Sequence, residues 1–176
     1  MASTKEIRTR MKSVEQTLKI TNAMYLIASS NLRKAKEQLA KAAPYYTKID
    51  ETIADILHRS PQLTHRFLDG RPEIPPERRK VGYIVVSGDK GLAGAYNHNV
   101  LKLAQQRLAE AADPRLFVVG LVGRAFFSER GIPFQEDFSY VVQNPTMARA
   151  RDISDEMVQR FLDGELDEVR ILYTEM

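Results

Sequence analysis

The chain has 176 residues, 43% hydrophobic and 28% charged, with a formal net charge of +3, the make-up of a folded polypeptide large enough for one ordinary domain or a small domain with an extended element. It has no Cys and 3 His, which excludes a disulfide framework, a thiolate nucleophile and a thiolate metal site and fits a reducing compartment. His58, His65 and His98 stand at no helical ligand spacing, and no apolar run nears the ~20 residues that span a bilayer, so neither a metal site nor a membrane helix is expected.

The N-terminus is basic but has no signal-peptide apolar core, so a retained N-terminus in the cytosol is the expectation. Ser3-Thr4-Lys5-Glu6 has the spacing of a capping box, in which Ser3 and Glu6 satisfy orphan amides at a helix start. From there an apolar-or-small pattern advances in steps of four and three. Its members are Ile7, Met11, Val14, Leu18, Thr21, Tyr25, Ala28, Leu32, Ala35, Leu39, Ala42, Tyr46, Ile49, Ile53 and Ile56. Those steps average 3.5 residues, the heptad period that keeps one seam against a partner helix in a left-handed supercoil.

A helix from Thr4 to about His58 extends roughly 80 Å, whereas a domain of ~100 residues has a radius of gyration near 13 Å. The helix is therefore expected to outreach any globule the chain can form, and the rest of the sequence supplies no second helix of that length. Self-association or a missing C-terminal segment would cover the seam. Small residues at Thr21, Ala28, Ala35 and Ala42 let the partner approach closely. Ile20, Met24 and Ile27 lie off the seam, and a helix apolar on more than one face is surrounded by other protein. Pro44 removes a backbone donor and predicts a kink.

Charge along this helix is uneven. Residues 1–36 hold eight basic side chains (Lys5, Arg8, Arg10, Lys12, Lys19, Arg33, Lys34, Lys36) against Glu6 and Glu15, a surplus of +6 that leaves −3 for the remainder. A solvated helix face carries such a surplus, and so does a surface built to meet an acidic protein or nucleic acid.

Residues 59–80 break the periodicity with Pro61, Gly70, Pro72, Pro75 and Pro76 and read as a Pro-rich linker. Three parts are thus expected: the long helix over 1–58, the linker over 59–80, and an α/β domain over 81–176. In the last, Val81–Val86, Leu116–Leu121, Phe134–Val142 and Val169–Tyr173 read as strands. Asn97–Ala111, Gly123–Arg130 and Thr146–Leu162 read as helices. That alternation predicts an open, mostly parallel, Rossmann-like sheet with crossover helices. The chain stops directly after its last strand, which reads as a domain incomplete at its C-terminus.

Ser87-Gly88-Asp89-Lys90-Gly91-Leu92-Ala93-Gly94 sits between a strand and a helix, where helix N-termini attract anions. Its spacing fits neither GxxxxGK[ST] nor GxGxxG, and no G-x-S-x-G elbow occurs. Asp89 is expected to pair with Lys90 or to cap the following turn, and the sheet is expected to be a scaffold with no catalytic residue and no cofactor.

Several of these segments resemble one family. Lys5-Glu6-Ile7-Arg8, Ile20-Thr21-Asn22-Ala23-Met24, Ala28 through Leu32-Arg33-Lys34-Ala35, and Ala43-Pro44-Tyr45 are similar to the first helix of ATP synthase gamma subunits of bacterial type. Val85 to Asn97, with Asp89, Lys90, Gly91, Leu92, Gly94 and Asn97, resembles the family's Ser-Asp-Arg/Lys-Gly-Leu segment, and Asp167 to Tyr173 is also similar. The resemblance implies a non-catalytic central-stalk rotor of the F-type ATP synthase. Its first helix would pair with a C-terminal gamma helix, absent from this sequence, inside a ring of alpha and beta subunits. Turning that shaft would drive the beta sites through different nucleotide affinities, coupling proton flow to ATP synthesis. The α/β domain would lie near the epsilon subunit and the c-ring, on the cytoplasmic face of the bacterial plasma membrane, touching it only through the complex.

The resemblance further implies that Ile7, Met11, Val14, Leu18, Tyr25, Leu32, Leu39, Ile49 and Ile53 form the rotor seam. Met24 would face the ring with Arg8, Arg10, Lys12, Arg33 and Lys34. Asn22 and Asn31 replace Lys of many relatives, weakening charge contact there, and Gly88 replaces a frequent Ser. Two other readings compete. A small α/β nucleotide-binding enzyme with a helical oligomerisation tail would need polar residues gathered at strand C-termini. A basic coiled-coil nucleic-acid adaptor would bind with steep salt dependence, yet Tyr25, the one aromatic in the basic half, lies on the seam and serves base stacking poorly.

Overall fold

A computed structural model describes residues 3–140, 142–143 and 145–175. The chain divides into two units, residues 1–65 and 66–176. In the first, helix α1 (Thr4–Arg59) runs 56 residues with none of them buried. Ser3 caps it, but its hydroxyl accepts from the Lys5 amide at 3.3 Å. The cap therefore serves the second amide of the helix, where the capping box calls for that of Glu6. Pro44 lies inside α1, and the helix continues through it. Thr21, the polar member of the heptad stripe, donates its hydroxyl to the Thr17 carbonyl at 2.9 Å. Bonded back into its own helix, it needs no polar partner across a seam.

The second unit is built on a parallel three-stranded sheet in the order β2-β1-β3. Strand β1 is Lys80–Val86, β2 Asp113–Val119 and β3 Glu168–Leu172. In β1, Val85 pairs with Val118 on one side and Leu172 on the other. Pro114, which cannot donate to a ladder, is tolerated because β2 is an edge strand and Pro114 lies at its start. Alternate residues feed two cores, as the two-residue period of a strand requires. Tyr83, Val85, Leu116 and Val118 pack on one side with Val100, Leu101 and Ala104 of helix α2 (Tyr96–Glu110) and Phe127 of helix α3 (Leu121–Glu129). On the other, Ile84, Phe117 and Val119 meet Phe138, Leu166 and Met157 of helix α4 (Met147–Leu162). The α/β reading thus holds, with element ends shifted by at most three residues.

The expected strand over 134–142 does not form; among its described residues a single parallel bridge joins Tyr140 to Val119. The Gln135 amide bonds to the Leu116 carbonyl and the Gly120 amide to the Tyr140 carbonyl, each at 2.9 Å. The segment thus takes five residue steps, 135 to 140, where β2 advances three, 116 to 119. The surplus is taken up by a turn in which the Ser139 amide bonds to the Asp137 carbonyl, and no ladder can hold register across that mismatch. Phe138 and Tyr140 still serve the core, edge-on to one another at 4.8 Å.

Residues 66–80 lead into β1, and Arg71 fastens them down. Its guanidinium donates to the Phe161 carbonyl at 2.7 Å, the Leu166 carbonyl at 2.8 Å and the Asp167 carboxylate, and stacks on the Phe161 ring. The other Asp167 oxygen accepts from the Lys80 amide at 2.9 Å. Burial pushes the Asp167 carboxyl up, but the Lys80 amide and the Arg71 guanidinium outweigh it and hold it below the ordinary value. A depressed carboxylate contributes stability that is present above its unfolded pKa and lost as pH falls through the folded one. Asp167→Asn should therefore lower the melting temperature at pH 7, and its deficit against the parent chain should shrink as pH falls below about 4. Thermal melts of both proteins across that range check this.

Candidate functional site

Two places answer to the sequence-derived site residues, and they differ in kind. The first is the surface of α1. Ile7, Met11, Val14, Leu18, Tyr25, Leu32, Leu39, Ile49 and Ile53 lie between 41% (Ile49) and 69% (Tyr25) exposed. A soluble helix normally buries its apolar stripe, and so long a line of half-bare side chains marks an interaction surface. Around the middle Ile20, Met24, Leu26 and Ile27 are also exposed, so one stretch of α1 offers apolar contact in several directions.

The basic side chains on this helix are largely unneutralised. Among the described residues α1 holds three ion pairs, Lys19–Glu15, Lys48–Glu51 and Arg59–Asp55. Arg8, Arg10, Lys12, Arg33 and Lys34 join none of them and are exposed, free to meet acidic groups on another molecule. An apolar stripe flanked by unpaired cations suits partners that are apolar along one line and acidic beside it.

The second place is the loop from Ser87 to Asn97, and its polar groups are turned inward. Ser87 is fully buried. Its amide donates to the Val119 carbonyl at 2.9 Å, and its hydroxyl donates to that same oxygen at 3.1 Å while accepting from the Gly123 amide at 2.9 Å. Asn97, in the first turn of α2, accepts from the Gly88 amide at 2.7 Å and donates to the Lys90 carbonyl at 3.4 Å.

Asp89 departs from both expected roles. Among the described residues it makes no ion pair with Lys90, and it does not cap the turn that follows it. One oxygen accepts from the Leu121 amide at 3.1 Å, at the start of α3, and the other from the Val142 and Gln143 amides at 2.9 and 2.8 Å. The carboxylate thus sits at the N-terminus of α3, where the helix dipole favours a negative charge. The position an anion would take there is filled by the protein's own side chain. Asp89→Ala removes the acceptor of three amides at once and should cost about 1–3 kcal/mol. Denaturant melts should show the loss, and hydrogen exchange should quicken first at Leu121, Val142 and Gln143.

The outer half of the loop behaves oppositely. Leu92 is 93% exposed and adopts φ 61°, and Gly94 follows at φ 57°. A leucine in the left-handed region with a bare side chain costs conformational energy and is not explained by packing within this chain. Gly91 faces open space. Asp89 and Asn97 thus build the unit, while Leu92 is presented outward.

Glycine and arginine positions unmarked by any motif matter as much. Gly120 has φ 101°, and a side chain there would meet the Ser87 carbonyl oxygen at 2.3 Å. Gly123 lets α3 approach so closely that an added carbon would lie 2.7 Å from the Ser87 hydroxyl. The one available signal was a glycine directly after a buried strand; nothing marked Arg71 as the anchor of its segment. No helix among the described residues is long and apolar enough to cross a membrane.

A model of the ATP synthase family matches residues 3–176. Over 173 residues the chain is 45% identical to the ATP synthase gamma chain of Ruminiclostridium cellulolyticum, covering 98% of this chain and 58% of the relative. To that of Acetivibrio thermocellus it is 44% identical over 176 residues, covering 100% and 59%. To that of Caldanaerobacter subterraneus it is 41% identical over 174 residues, covering 98% and 58%. The chain therefore spans just under three-fifths of the length of these curated relatives.

Proposed function

This chain belongs to the ATP synthase gamma-chain family, and on that premise we propose that it forms one strand of the central rotating shaft of an F-type ATP synthase, a non-catalytic part that couples rotation to catalysis elsewhere. The observation that carries the proposal is α1: 56 residues, none buried, with a heptad stripe of half-exposed apolar side chains. In this reading the stripe lies against a second long helix of a full-length gamma chain. The outward faces of α1 lie within a ring of alpha and beta subunits, with the belt around Met24 held in an apolar bearing. Arg8, Arg10, Lys12, Arg33 and Lys34 face acidic groups on the beta subunits. The α/β unit sits at the base of the shaft near the epsilon subunit and the c-ring, at the cytoplasmic face of the plasma membrane.

The physical logic is that of a stiff transmitter. A single helix with a bare apolar line has no reason to stay straight in water, whereas two supercoiled helices fix one another's registry and resist torsion. Rotation acts on the catalytic sites only through differential contact, since a part that touches every state equally shifts no equilibrium. Unevenly placed cations provide such a difference: Arg33 and Lys34 occupy one side of α1 and meet a given subunit only at certain angles.

Arg33→Glu with Lys34→Glu should accordingly leave assembly intact and lower ATP-driven proton pumping per ATP hydrolysed several-fold; pumping and hydrolysis assayed on one vesicle preparation check this. The proposal itself is tested by co-expression with alpha and beta subunits. The chain should co-purify with them when the remaining portion of a relative's gamma chain is fused to it, and should fail to do so alone. No co-purification of the fused chain would overturn the reading.

A further inference from the structure

The shaft reading covers the seam with a different helix, yet the seam also fits itself. Its small members Thr21, Ala28, Ala35 and Ala42 all occupy the d positions of the heptad, and the large members between them, Leu18, Tyr25, Leu32 and Leu39, all occupy a. In a parallel pair, like faces like. Ala28, Ala35 and Ala42 would then meet their own copies and leave voids between layers of paired large side chains. In an antiparallel pair a faces d. Aligning two copies so that facing residue numbers add to 60 sets Leu18 against Ala42, Thr21 against Leu39, Tyr25 against Ala35 and Ala28 against Leu32. Every small residue then receives a large one, the alternation that fills a core without cavities. Ile7 meets Ile53 at the two ends, and Pro44 falls on the outward side.

Charge is nearly even-handed between the two directions. About residue 30, the axis of this register, residues 1–29 carry five basic against two acidic side chains, or +3, and residues 31–59 six against four, or +2, so side-chain size selects the direction. The register also brings Arg8 near Asp50 beside the seam. The seam and its flanking positions between Ile7 and Arg59 also offer as many residues a side as a stable interface uses, about 20–30.

We propose that the 176-residue chain by itself forms a two-fold symmetric antiparallel homodimer through α1, in that register. The interface is isologous and closes on two copies, so no higher assembly grows from it.

Sedimentation equilibrium of the full chain over about 1–100 µM should give twice the monomer mass of 20.0 kDa. Leu32→Asp should raise the dissociation constant at least a hundredfold while the α/β unit keeps its melting temperature. Direction is read from cysteines placed in a chain that has none. Ser29→Cys lies beside the two-fold axis facing its own copy and should oxidise to a linked dimer. Ile7→Cys should not, because its copies lie about 70 Å apart. A monomer throughout the concentration range would overturn the proposal. So would cross-linking through Ile7→Cys, which marks a parallel pair, or a dimer that survives Leu32→Asp, which would place the contact outside α1, as on the exposed edge strand β3.

Discussion

Leu32→Asp is expected to abolish incorporation of a full-length gamma chain carrying these residues into the ATP synthase complex, with Leu18→Asp close behind. Both positions lie on the stripe of α1 and are about half exposed in this chain, Leu32 at 50% and Leu18 at 57%. Within a single copy α1 should therefore stay helical after the change, since a charged side chain in water costs the helix itself almost nothing. In the proposed shaft the same position would be enclosed by the opposite helix. Burying an unpaired carboxylate there costs several kcal/mol even after relaxation, and the lost leucine packing adds about 2–5 kcal/mol. The variant chain should stay helical and its α/β unit should melt as before, while co-purifying alpha and beta subunits fall to background. The matched control is Gln16→Asp, which adds the same charge off the stripe and should assemble.

Gly120→Ala carries the largest effect on stability. Gly120 links β2 to α3 at φ 101°, a conformation L-residues rarely hold, and the added carbon would stand 2.3 Å from the Ser87 carbonyl oxygen and 2.7 Å from its hydroxyl. No side chain can move aside, because the closest atom is backbone in a strand end that is itself bonded to Val119. Relief requires β1 and α3 to separate, which breaks the Ser87–Gly123 bond and opens the core around Phe127. A cost of at least about 3 kcal/mol is expected, a large fraction of the about 5–15 kcal/mol that holds a domain together. Denaturant unfolding of the full chain, followed by hydrogen exchange at the amides of β1 and β2, should show the α/β unit strongly destabilised and α1 unaffected.

The parts of this fold legible in the sequence are those set by local periodicity. The stripe from Ile7 to Ile56 was readable because heptad spacing is a property of the helix alone, and β1 and β2 were readable as short, continuous apolar runs. The segment over 134–142 misled for the same reason. Its alternation of Phe134, Phe138 and Tyr140 suits a strand, while the mismatch in length against β2 that prevents one is a relation between distant segments. Asp89 is a similar case: its partners lie 32, 53 and 54 residues away, so no local rule could choose between a cap, an ion pair and the clamp it forms. Arg71 reaches Asp167 across 96 residues. The conformation of Gly120 depends on where Ser87 comes to rest. What sequence spacing conveys is which faces are apolar; which polar groups meet is decided by the tertiary fold.

The central claim is mechanical, and rotation tests it most directly. In a complex whose gamma chain has residues 3–176 of this protein fused to the remaining portion of the Ruminiclostridium cellulolyticum gamma chain, a probe fixed to the α/β unit can be followed while ATP is supplied. The account predicts sustained rotation in one direction, its speed tracking the hydrolysis rate. A complex that contains the chain and hydrolyses ATP at full rate while the probe stays still would contradict it.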